Sequence, residues 1–219
     1  MTAATATTPA APTDRGSVLE GYRDDGPLAT AIGRALGRGL RLPAIAPLLV
    51  AGLPLLVAIV LEGSGASHGL VAGVIAWVVV VGGVASARPL TDRLRWLVPP
   101  ALRAIEYSAL LWIGSVAGDD ALPATFALLC AITYHHYEAV YGPRHRGVTP
   151  PAWVRALAGG WDGRLVLAVV LLAAGALPAA FYVLAGLFAV LFVGETIAEW
   201  RRFNAGQQPV YDDEEDEAD

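Results

Sequence analysis

Lysine is absent from this 219-residue chain, and charge of either sign is scarce. Charged residues make up 16% of it, against about 25% in an ordinary soluble domain. All fifteen basic residues are arginines. A single cysteine, Cys130, excludes an intrachain disulfide and any zinc site built from several thiolates. No P-loop, nucleophile elbow, HExxH helix or dinucleotide fingerprint occurs. What fills the chain instead is apolar: 55% of residues are hydrophobic and the mean hydropathy is +0.53. That balance points to a polytopic integral membrane protein.

The formal charge of -5 misleads as an average. Seven acids crowd the end of the chain (Asp212, Asp213, Glu214, Glu215, Asp216, Glu217 and Asp219), and without them 15 basic residues face 13 acidic ones. Residues 203–219 therefore read as a solvated, disordered acidic tail. Residues 1–17 are small, polar and proline-containing, and are expected to be disordered as well. They lack the charged start and apolar stretch of a secretory signal.

Between these ends the expected fold class is all-α, with an amphipathic interfacial helix at 18–41 and six transmembrane helices within 42–202. At helical periodicity Leu28, Ile32, Ala35, Leu36 and Leu40 share one face, with Arg34, Arg38 and Arg41 opposite. Asp24 and Asp25 precede them, where a helix start favours negative charge, while Gly33, Gly37 and Gly39 weaken the helix. The six spans fall near 43–61, 69–87, 99–117, 121–141, 163–177 and 179–200, each to be set against the about 20 apolar residues a crossing needs. The last two divide one long stretch at Gly175-Ala176-Leu177-Pro178, so the fifth is short. Arginines occupy the ends and every second connection, and none lies near 63–68, 118–120 or 175–178. By the positive-inside rule both termini are cytoplasmic.

Polar residues gather towards that cytoplasmic side. The third span carries Arg103, Glu106 and Tyr107; the fourth ends in Tyr134-His135-His136-Tyr137-Glu138 and Tyr141; the fifth opens with Trp161-Asp162-Gly163-Arg164; the sixth closes with Glu195, Glu199, Trp200, Arg201 and Arg202. Spacings of three or four put Arg103 with Glu106, His135 with Glu138, Tyr134 with Glu138 and Glu195 with Glu199. Glu106, His135, Glu138 and Glu195 are the candidate acid/base groups or ligands of a divalent metal. Mg²⁺ or Mn²⁺ suits the carboxylates, and zinc is the lesser choice. Asp162 joins either role. Arg103 and Arg164 are candidates for holding phosphate oxygens, with Tyr141 beside them at the substrate.

Structural readings stand beside these. Arg103 and Glu106 make a local ion pair whose guanidinium snorkels to the interface. Tyr137, Tyr141, Trp153 and Trp200 form an interfacial belt, Glu199 is solvated at its helix end, and His136 is a packed or interfacial histidine. Asp25-Gly26-Pro27-Leu28-Ala29-Thr30 echoes the signature of CDP-alcohol phosphotransferases. Tyr22, Thr30, Pro43 and Pro47 replace three of its four aspartates and its arginine, so no two-metal site follows.

The segments YRDDGPLA (22–29), WLVPPALRAIEY (96–107), YHHYEAVYGPRHRG (134–147) and WDGRL (161–165) resemble an actinobacterial membrane domain of unknown function. In longer proteins that domain lies C-terminal to nucleotidyltransferase and CDP-alcohol phosphotransferase modules. The resemblance spans roughly 18–202, and it implies an actinobacterial origin and an association with phospholipid or activated-alcohol metabolism. Three functions follow as expectations. The first is an enzyme or ligand-binding protein acting at the cytosolic leaflet on a phosphorylated or nucleotide-activated lipid or alcohol. The second is a non-catalytic anchor or partner of a lipid-synthesis enzyme of the CDP-alcohol phosphotransferase type. The third, weaker because no polar residue sits at the bilayer midplane, is a small transporter. The bilayer is a partner in each; nucleic acid is not.

Overall fold

The computed structural model describes residues 19, 22–37, 39, 42–145 and 159–206. The N-terminal stretch 1–17, the acidic tail beyond 206, Arg38, Leu40, Arg41 and the connection holding Arg146, Trp153 and Arg155 lie outside them, as does the side chain of Tyr141. Seven α-helices and no strand occur among the described residues. They are α1 (Pro27–Leu36), α2 (Ile45–Glu62), α3 (His68–Gly83), α4 (Val98–Ala117), α5 (Ala121–His145), α6 (Gly160–Ala173) and α7 (Leu177–Gly206). Short 3-10 turns follow α2, follow α3 at Val84–Ala87 and precede α4.

Each apolar run folds as one helix, and the breaks have local causes. Between α6 and α7 the chain reverses through Ala174–Ala176, where the Ala176 N–H reaches back to the Leu171 carbonyl at 3.0 Å and that of Gly175 to Leu172 at 3.1 Å. This glycine-centred closure satisfies the last carbonyls of α6. Inside α2, Pro54 has no N–H to offer the Val50 carbonyl one turn earlier. The indole N–H of Trp77 on α3 donates to that carbonyl at 3.2 Å instead, so the freed carbonyl keeps a partner. Trp112 on α4 likewise donates to the Gly63 carbonyl just past α2, at 2.8 Å.

Within 18–41 the structure describes the helix Pro27–Leu36, with Leu19, Tyr22 and Arg23 also helical before it and Arg38, Leu40 and Arg41 outside the described residues. Asp24 takes a positive φ of 52° and Pro27 starts α1, so the chain bends at 24–26 and the helix begins anew. The stripe it packs against the rest of the protein is made of small residues. Ala29, Gly33 and Gly37 are buried, whereas Leu28 and Leu36 are exposed. A Cβ on Gly33 would lie 2.1 Å from Ser86 Oγ and 2.9 Å from the Ala87 nitrogen, so only glycine lets α1 seat on the end of α3.

The helices pack as pairs, α2 on α3 and α5 on α7, with α4 and α6 between them. Trp161, Phe181, Leu48, Ile75, Leu110, Ile113 and Leu165 fill the shared core. Among the described residues, three stretches are long and apolar enough to cross a membrane: Ile45–Gly65, His68–Ala87 and Leu177–Asn204. Their outer faces carry Leu53, Val60 and Leu61 on α2 and Val183, Leu187 and Val190 on α7, all exposed. Of the helices between them, α4 carries the buried Glu106 and α6 the buried Asp162 and Arg164. The 14 residues of α6 fall short of the about 17 that a full crossing requires.

Candidate functional site

Glu106 has no exposed surface, and Arg164 and Asp24 are almost as deeply buried. A carboxylate or guanidinium at such depth survives only if paired and hydrogen-bonded. Here the pairing comes from four separate parts of the chain: the bend before α1, α4, α5 and α6. Arg164 Nε donates to Glu106 Oε1 and its Nη2 donates to Asp24 Oδ2, both at 2.7 Å. Arg103, one turn before Glu106, donates to the other oxygen, Oε2, and through Nη2 to the Arg23 carbonyl at 2.6 Å. Glu106 thus lies between two guanidinium groups from different helices.

His136 completes the ring. Arg103 Nη1 points at His136 Nε2, and His136 Nδ1 shares a hydrogen bond of 2.7 Å with the Tyr107 hydroxyl. Asp24 Oδ2 lies 3.4 Å from Nε2 and 3.9 Å from Arg103 Nη1. Burial alone would raise the Asp24 carboxyl, but the neighbouring Arg164 and Arg103 outweigh it and hold it well below the usual carboxylate range. Two carboxylates and two guanidiniums leave the group formally neutral.

The bend that aims Asp24 inward is clamped on both flanks. The Arg23 guanidinium donates to the carbonyls of Ala85, Ser86 and Arg88 at 3.1, 2.8 and 2.9 Å, closing the C-terminal end of α3, and also pairs with Asp25. Asp25 accepts from the Trp161 indole at 3.1 Å. Asp162 caps the start of α1 from a distance, accepting from the N–H groups of Gly26 at 2.6 Å, Leu28 at 2.9 Å and Ala29 at 3.0 Å. A carboxylate at a helix N-terminus satisfies orphan donors and opposes the helix dipole. The approach depends on glycine: a Cβ on Gly26 would meet Asp162 Oδ1 at 2.4 Å, and one on Gly160 would meet the Gly26 nitrogen at 2.3 Å.

Of the residues singled out from sequence, Glu106, Arg103 and Arg164 meet directly, and Asp162 lies beside them as a helix cap. His135 faces the other way, its ring stacked on Phe192 of α7 with centroids 4.2 Å apart. Glu195, one turn further along α7, is partly buried, and its Oε1 is out of solvent without a hydrogen-bond partner. Glu138 is partly buried. Glu199, expected to be solvated, is buried. No group of three or more His, Cys, Asp or Glu able to hold a metal occurs among the described residues. The residues that sequence reasoning undervalued are Asp24, Arg23, Asp25 and His136. Their signal was present, because the four segments that carry the family resemblance are the four that converge here.

Fold and site together define an all-helical protein with strongly apolar outer helices and a neutral, buried charge cluster that ties its first helix to the bundle. A family model described as "Family of unknown function (DUF5941)" matches residues 14–218, and the chain belongs to that family. No curated protein and no solved structure matches it.

Proposed function

We propose that this DUF5941 protein is a six-span membrane protein with both ends cytoplasmic, and that it acts as a non-catalytic anchor or partner of a lipid-synthesis enzyme. One observation carries the non-catalytic reading: the arginines expected to grip a substrate phosphate are already held by Glu106 and Asp24. Binding a phosphate there would strand a buried carboxylate, which is costly. The apolar outer faces of α2 and α7 favour a bilayer around the bundle. The arginine-free alternate connections favour the topology. The type of partner rests on the resemblance to a domain found beside CDP-alcohol phosphotransferase modules.

The test is purification of the full chain from native membranes in mild detergent. An enzyme of phospholipid or activated-alcohol metabolism is expected to come with it in a fixed ratio, and a folded Glu106→Gln variant is expected to retain it. Turnover of a nucleotide-activated headgroup by the purified chain alone, lost in Glu106→Gln, would overturn the reading.

A further inference from the structure

Arg23, Arg103 and Arg164 each pair with a carboxylate. Arg88 does not. It is partly buried, and its Nε and Nη2 atoms are both out of solvent without a hydrogen-bond partner. These two nitrogens form one edge of the guanidinium, the edge whose parallel N–H bonds fit two oxygens of a single anion. The backbone beneath is fixed, since the Arg88 N–H donates to the Ala85 carbonyl at 3.0 Å and the Arg88 carbonyl accepts from Arg23. A guanidinium edge whose two nitrogens are withdrawn from water without a partner is costly unless an anion meets it.

Its position indicates which anion. Arg88 directly follows His68–Ala87, one of the stretches apolar enough to cross a membrane, so it stands where headgroup phosphates lie. The residues before it, Ser86 and Ala87, are those on which Gly33 of α1 packs, and Arg34 with its exposed side chain is the next residue of that helix. We infer that Arg88, at the junction of α1 and the end of α3, is a binding site for a phosphate group, supplied by an anionic lipid headgroup or by free phosphate. The inference rests on the membrane reading for the depth of Arg88; it does not depend on whether the charge cluster is catalytic.

The experiment measures binding of dioctanoylphosphatidylglycerol and of inorganic phosphate to the full chain in detergent by native mass spectrometry. It uses wild type, Arg88→Gln, Arg88→Lys and, as a control, the exposed Arg93→Gln. One lipid is expected to bind wild type and Arg93→Gln alike, and Arg88→Gln about ten-fold or more weakly. Displacement by inorganic phosphate means the phosphate group alone is recognised; no displacement assigns the site to the lipid. If Arg88→Gln does not fold, Arg88→Lys decides: it keeps the charge but loses the paired N–H edge, so weaker binding supports the site. Equal lipid binding by a folded Arg88 variant and wild type, or binding of neither probe to wild type, overturns it. Retention of the chain in membranes after a carbonate wash tests the membrane reading separately.

Discussion

Asp24 combines an unusual backbone with an unusual charge environment. A positive φ is tolerated better by aspartate than by most side chains, and here it turns the carboxylate towards Arg164. Because folding depresses its pKa, ionised Asp24 stabilises the fold at pH values above about 4, where it is also charged in the unfolded chain. That contribution falls away as the pH drops further towards the folded value. Thermal midpoints measured from pH 7 to pH 3 are expected to decline at the acidic end, and Asp24→Asn is expected to lower the neutral value and flatten the decline. An equally steep decline in the variant would show that other carboxylates control it. For Arg164→Met the expected loss is about 3–5 kcal/mol in denaturant unfolding, because two buried carboxylates lose their shared partner. The ion pair of Arg103 and Glu106 was legible from sequence, since residues three apart on a helix must meet. Asp24 and His136 were not. Nothing in the local pattern distinguishes an acid that opens a helix from one turned inward, or a packed histidine from one that bridges an arginine and a tyrosine.

At the scale of elements, hydropathy located the helices well. The stretches 43–61, 99–117 and 179–200 anticipate α2, α4 and α7, and the proposed break at Gly175 falls in the turn between α6 and α7. What the helical wheel did not show is how α1 docks on the bundle, because a wheel weighs leucines, whereas α1 packs through Ala29 and Gly33, residues whose virtue is having little side chain. Gly33→Leu is therefore expected to release α1 from the end of α3, seen as faster amide exchange confined to 27–37. Asp162→Ala removes the cap of α1 while leaving the ring of Arg103, Glu106 and Arg164 in place. Its expected cost is about 0.5–2 kcal/mol, with exchange rising first at Leu28 and Ala29. Trp77→Phe probes a different repair. It leaves the Val50 carbonyl without the donor that replaces the one Pro54 lacks, at an expected cost of about 1–3 kcal/mol.

For the whole molecule, the arrangement of arginines makes a topological prediction that the lone cysteine makes easy to check. Cys130 lies within α5 on an exposed part of the bundle, so in a bilayer it is expected to resist membrane-impermeant maleimides. In a Cys130→Ala background, Ser64→Cys in the turn after α2 should label from outside intact cells. Arg93→Cys should label only after the membrane is opened; the reverse pattern would invert the protein.

The charge cluster also has a history within each molecule's synthesis. Glu106 emerges from the ribosome 58 residues before Arg164, its eventual companion. Through that interval the nearby Arg103 is the counter-ion one turn away, so Glu106 has a partner within its own helix before Arg164 exists. Only once α6 is made can Arg164 join Glu106 to the early-made Asp24, so the N-terminal bend waits on a residue 140 positions later for its partner.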